Sequence, residues 1–196
     1  PRFNALYSPT WGANGKIAIT GVRRGQADIY VVDPEGDKWQ QLTDDRYDDK
    51  DLAFSPDGTK LALASDRPLT PDAPGEFTYG TYNIYTFDLE TLEMVPVTRQ
   101  SGQCRYPQWS PDGTKLCYVS NLNGIDNLYI QDLEEDTEAY PITNILTGIK
   151  SPSWSPDGDK IAFSSFHKAG YDIYVLKDIK PLSADREPLE LTAYMR

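Results

Sequence analysis

One phrase recurs along this chain and limits what it can fold into. Trp109-Ser-Pro-Asp-Gly-Thr-Lys-Leu-Cys-Tyr-Val119 returns as Phe54-Ser-Pro-Asp-Gly-Thr-Lys-Leu-Ala-Leu63 and as Trp154-Ser-Pro-Asp-Gly-Asp-Lys-Ile-Ala-Phe163. A worn copy, Trp11-Gly-Ala-Asn-Gly-Lys-Ile-Ala-Ile19, stands near the start. Ser, Pro, Asp and Gly follow the order of a type I turn, in which Pro pre-sets φ at the second position and Gly takes the left-handed position. Apolar, β-prone residues on both sides make the phrase a tight hairpin. Four hairpins of one design in 196 residues describe a repeat protein.

Two further markers set the period. Tyrosines at Tyr30, Tyr85, Tyr129 and Tyr174 are separated by 55, 44 and 45 residues, and threonines at Thr43, Thr98, Thr143 and Thr192 by 55, 45 and 49. The long first spacing contains a Pro- and Gly-rich insertion of 14 residues, Pro68 to Thr81. Without it the period is 41 to 49 residues, that of a four-stranded propeller blade. The 13 Tyr and 4 Trp against 2 Met, with 15 Pro and 14 Gly, suit strands and turns. The expectation is an all-β protein of four four-stranded antiparallel blades, at about 7–43, 44–98, 99–143 and 144–192, forming one β-propeller segment over residues 1–196. Blades bury both faces, so strands such as Ile29-Tyr-Val-Val32 are apolar almost throughout, and the repeat Trp and Tyr side chains are expected between blades.

Charge and cysteine usage narrow the partners. A net charge of −11 disfavours a nucleic-acid backbone or an anionic membrane surface as partner. No run is long and apolar enough for a membrane-spanning helix, and no signal peptide is recognisable. A start at Pro1-Arg2 without Met is expected of a processed product or an excerpt. If the Ser110 to Lys115 turn sets the register, Cys117 faces Pro107 or Gln108, roughly 10 to 13 Å along the strand from Cys104. That exceeds what a disulfide spans, so two free thiols are expected.

The Trp-Ser-Pro-Asp-Gly turn, followed by Lys, an apolar strand and Asp172-Ile-Tyr-Val175, resembles the TolB-type propeller, built of WD-like repeats with a Pro-Asp turn. The resemblance covers nearly the whole chain and is weakest in the first repeat. It implies part of a six-bladed propeller with about two blades missing, in a periplasmic or cell-envelope setting, and either a protein- or peptide-binding module or the gating and docking domain of a prolyl oligopeptidase-like hydrolase. The family usually places an acidic residue five positions before the Trp, where calcium could bind. Here those positions hold Leu6, Asp49, Cys104 and Ile149, so no cofactor is expected.

Catalytic chemistry finds little to build on. There is no Gly-x-Ser-x-Gly elbow, no Gly-rich phosphate loop and no Cys/His zinc spacing. The single histidine, His167, is expected on a loop after the second strand of repeat four. The densest acidic run, Asp44-Asp45-Arg-Tyr-Asp48-Asp49-Lys-Asp51, lacks the glycine and distal glutamate of a calcium loop and reads as a charged loop with Arg46 and Lys50 as partners.

Recognition by loops remains. Strand alternation places the Asp-Gly turns on one rim, and the varied loops, including the insertion and Phe166 to Tyr171, on the other. Loops on a rigid scaffold carry binding, and Tyr, Phe and Arg are typical anchors. The expected partner-binding residues are Asp49, Asp51, Phe77, Tyr79, Arg105 and Tyr106. The partner is a protein or peptide, and missing blades or another copy cover the open edges.

Overall fold

In the computed structural model, residues 2–70, 76, 78–134, 137–193 and 195 are described. Among them the chain forms fifteen strands and no helix. They fall into two compact units, Pro1–Arg99 and Gln100–Arg196. Phe77, one of the expected binding residues, lies outside the described residues.

The first unit holds two antiparallel four-stranded sheets, each in chain order: β1 (Ala5–Trp11), β2 (Ile17–Arg23), β3 (Gln26–Val32) and β4 (Trp39–Gln41), then β5 (Asp49–Phe54), β6 (Lys60–Ser65), β7 (Asn83–Asp88) and β8 (Met94–Pro96). The second unit holds β9 (Cys104–Trp109), β10 (Lys115–Ser120), β11 (Asn127–Asp132) and β12 (Tyr140–Pro141), then β13 (Ile149–Trp154), β14 (Lys160–His167) and β15 (Gly170–Lys177).

The repeated turn forms as its residues dictate. Gly58 N–H donates to the Ser55 carbonyl at 2.9 Å, and Gly58, Gly113 and Gly158 take φ of 71°, 76° and 81°. Side chains then close the turn. Ser55 Oγ donates to Asp57 Oδ1 at 2.5 Å, and Ser55 Oγ accepts from Lys60 N–H at 2.9 Å. Ser110 with Asp112 and Ser155 with Asp157 repeat the pattern. Each turn therefore fixes the register of its hairpin with bonds made within the turn itself.

The threonines close the blades. Thr43, Thr98 and Thr143 accept the N–H groups of Ile29, Ile84 and Leu128 at 2.8 to 2.9 Å. Thr98 and Thr143 also donate to buried Asn83 and Asn127. Apolar side chains then join the sheets within each unit. Ala18, Ile29 and Val31 meet Leu52, Phe54, Leu61 and Leu63 in the first unit. Cys117, Val119, Leu128 and Ile130 meet Ile149, Ile161 and Phe163 in the second. Cys117 pairs with Gln108, and both cysteines are buried free thiols.

Three details depart from the sequence expectation. The last sheet has three strands among the described residues, and Thr192 does not close it. Thr192 N–H donates to Asn123 O and Leu182 N–H to Pro141 O, so the tail lies along the preceding blade. The connection from β15 to Thr192 is longer than its counterparts and contains Pro181 and Pro188, which supply no ladder donor. His167 ends β14 rather than sitting on a loop, because Lys168 and Ala169, at φ of 43° and 70°, form a two-residue hairpin turn. Finally, Trp11 is 64% exposed, because it pairs with Ile17 on the face of its sheet opposite Ala18, Ile29 and Val31.

Candidate functional site

Each first strand carries the same irregularity near its middle. Two residues of β1, β5, β9 and β13 stand against one of the neighbouring strand. At these bulges Ser8, Asp51, Tyr106 and Ser151 all take left-handed φ, between 50° and 57°. A bulge re-aims the side chain it carries and is frequent beside functional sites. Asp51 and Tyr106, two of the expected binding residues, are thus the same position of the repeat. No glycine marked these positions in the sequence, so the bulge was not legible there.

In the first unit, Asp49 and Tyr79 are brought to one cluster organised by Arg67, a residue that sequence reasoning passed over. Arg67 Nη2 donates to both oxygens of Asp49 at 2.9 and 3.0 Å, Nη1 donates to Asp45 at 3.2 Å, and Nε to Ser65 Oγ at 2.9 Å. Asp49 is fully buried. Burial pushes its pKa up, and the Arg67 guanidinium pulls against that shift. Such a bidentate pair fixes geometry as well as charge.

Around this pair stand aromatic rings. The guanidinium lies 5.5 Å from the Tyr47 ring and 5.8 Å from the Tyr85 ring. Tyr47 meets Tyr79 edge-on at 6.3 Å, and Tyr79 is 65% exposed. Lys50 Nζ sits 3.5 Å over the Tyr82 ring, and Tyr82 donates to Asp48. Asp51 N–H donates to Ser8 Oγ at 3.3 Å. The signal for Arg67 was its place two residues after Ser65, where the second strand ends opposite the start of the first.

In the second unit, Arg105 lies 5.1 Å from the ring of Tyr106. Lys150 donates to the Tyr171 hydroxyl at 2.8 Å. Arg105 and Lys150 both act on Asp126, lowering a pKa that its burial raises. The result is a cationic and aromatic patch beside the β9 and β13 bulges, in a chain whose net charge is −11.

A pocket of about 210 Å³ opens on the last sheet, lined by Ile145, Thr147, Phe163, Ser165, His167 and Tyr174 among others. Among the described residues that line it there is no carboxylate. Among the described residues no three His, Cys, Asp or Glu side chains are grouped to hold a metal ion, and no helix is long and apolar enough to cross a membrane.

Comparison with known proteins places this geometry. A TolB homologue of Chlorobium luteolum is 36% identical over 83 residues, which are 42% of this chain and 16% of the relative. The peptidase YuxL of Bacillus subtilis, itself uncharacterized, is 32% identical over 85 residues, 43% of this chain and 12% of that protein. The crystal structure of TolB from Acinetobacter baumannii superposes with a TM-score of 0.73 at 22% identity, covering 88% of this chain and 41% of that one. The chain thus spans less than half the length of these relatives. Residues 72–185, more than half of the chain, match the TolB beta propeller domain. The chain belongs to the TolB β-propeller family.

Proposed function

We propose that this chain is a non-catalytic docking module that binds a protein or an extended peptide with residues at and beside the bulges of its blades. The observation that supports this most is the pairing of cations with aromatic rings beside those bulges, Arg105 on Tyr106 and Lys150 on Tyr171, set on a rigid sheet scaffold. Tyr and Arg are the side chains that dominate binding energy at protein interfaces. Asp49 serves by orienting Arg67, while Asp51, Tyr79, Arg105 and Tyr106 contact the partner. The reading requires no cofactor, and it assigns the periplasmic or envelope setting that the TolB resemblance implies. The exposed face of the last sheet, with Ile173 81% and Val175 51% exposed, receives further blades of a longer, six-bladed protein or another copy.

Selection from a displayed peptide library tests the docking. Selected peptides should lose at least about tenfold in affinity on Arg105→Ala with Tyr106→Ala, about 1.4 kcal/mol or more. Unchanged affinity in a variant that keeps its far-UV spectrum would reject this surface.

The likeness to the peptidase YuxL supports a second reading, in which the same module docks or gates a hydrolase domain of the parent protein. A catalytic domain encoded beside this segment would favour it.

A further inference from the structure

The four third-strand tyrosines stand at equivalent places, and three of them are plugged. By register, Tyr30 faces Ile19, Tyr85 faces Leu63, Tyr129 faces Tyr118 and Tyr174 faces Phe163. Two residues further along the second strand of each blade come Gly21, Ser65, Ser120 and Ser165. In the first blade, the Phe3 ring lies over Tyr30 at 4.8 Å and fills the space a side chain at Gly21 would need. In the second, Arg67 fills this place, bonded to Ser65 and lying over Tyr85. In the third, Gln100 donates to the Tyr118 hydroxyl at 3.1 Å and accepts from Ser120 Oγ at 2.8 Å. Tyr30, Tyr85 and Tyr129 are accordingly 2 to 3% exposed.

Among the described residues no side chain fills the fourth place. Tyr174 is 39% exposed and stacks on Phe163 at 5.9 Å, and these rings with Ser165, Thr147 and His167 line the pocket of about 210 Å³. Leu146, which holds the position of Phe3 in this blade, is 85% exposed and is not among the residues that line the pocket. A cavity of about 150 Å³ accommodates a benzene ring. The volume therefore suits one aromatic side chain and falls short of the 300 Å³ or so typical of a drug-sized ligand.

We propose that this pocket receives a single aromatic side chain from an extended peptide, seated against Tyr174 as Phe3 is seated against Tyr30. The template is internal to the chain. Asn4 N–H donates to Val22 O at 2.8 Å, so Phe3 is delivered by backbone that continues the β1–β2 ladder. The pocket floor is polar at one point, where Thr147 and Ser165 share a hydrogen bond of 2.8 Å and Ser165 donates to Gly148 O. Those hydroxyls are already paired, which favours an apolar ring over a polar side chain. The proposal deepens the peptide-docking reading and rests on it for the biological occupant.

The chain has one histidine, so its imidazole proton resonances report on the pocket alone. Titration of the whole chain with N-acetyl-phenylalanine amide should shift the His167 signals saturably, with a Kd of the order of millimolar, as expected for so small a ligand. N-acetyl-alanine amide should bind at least about tenfold more weakly. Thr147→Phe, which fills the pocket from within, should abolish the saturable shift while the far-UV spectrum is kept. Tyr174→Ala, which removes the opposing ring, should weaken binding about fivefold or more and keeps the question open to decision if Thr147→Phe fails to fold. Equal shifts from the phenylalanine and alanine amides, or binding untouched by Tyr174→Ala, would overturn the pocket. Library peptides that bind unchanged after Arg105→Ala with Tyr106→Ala, beside an intact amide titration, would instead locate the fault in the docking reading and leave the pocket standing.

Discussion

At the scale of single residues, two buried carboxylates respond to pH in opposite settings. Asp28 is 3% exposed, and burial raises its pKa to about 6, with Asp44, Asp45 and Asp49 adding to the shift. A raised folded pKa means that the protonated form is favoured in the folded state. The stability this contributes is complete below about pH 4 and is lost as pH rises through about 6. The second and third blades hold Asn83 and Asn127 at the same register position. Asp28→Asn should therefore raise stability at pH 7 by about 1 kcal/mol, after allowing for solvent screening, and leave it nearly unchanged at pH 4. Denaturant melts at the two pH values check this, and a gain of equal size at both would be inconsistent with titration of Asp28. Asp49 is the other case, paired with Arg67. Arg67→Ala leaves a buried carboxylate without its cation and should cost about 3 to 5 kcal/mol. Arg67→Met with Asp49→Leu should recover most of that loss in the same melts.

At the scale of elements, the hairpins carry the local information. In the repeated turn Ser110 donates to Asp112, which accepts from Thr114 N–H, and this holds the Asp112 pKa down to about 2. A depressed folded pKa stabilises the fold above about pH 4 and ceases to do so as pH falls through about 2. Ser110→Ala should cost about 1 kcal/mol at pH 7 by chemical denaturation, with a smaller cost at pH 2. The β14–β15 turn is the opposite instance, because Lys168 and Ala169 occupy left-handed φ that glycine adopts freely. Ala169→Gly should stabilise by about 0.5 to 1 kcal/mol, measured by thermal melting. The Ser-Pro-Asp-Gly turns were legible because their residue types report their dihedrals. The Lys168-Ala169 turn and the bulges at Asp51 and Tyr106 were not, because there tertiary packing holds ordinary residues in an unusual conformation.

At the scale of the whole molecule, charge and metal dependence separate the readings. A net charge of −11 implies self-repulsion, so raising the salt from about 20 to 150 mM should raise the melting temperature by a few degrees. Melts with and without calcium should agree within about 1 °C, and a larger rise with calcium would favour a cation-dependent scaffold. The repeat period, turn chemistry and alternation of apolar residues sufficed by themselves to determine the blades, because each depends on neighbours in sequence. They named Arg105 and Tyr106 as rim-loop residues, whereas the structure sets both within β9, with Tyr106 at its bulge. Only the tertiary structure decided that Asp49 is buried under Arg67 and that the last sheet lacks its closing strand among the described residues. It alone showed that one of four equivalent aromatic places is left unfilled by the described residues, since filling such a place depends on side chains brought from distant parts of the chain: Phe3 in one blade, Arg67 in another and Gln100 in a third.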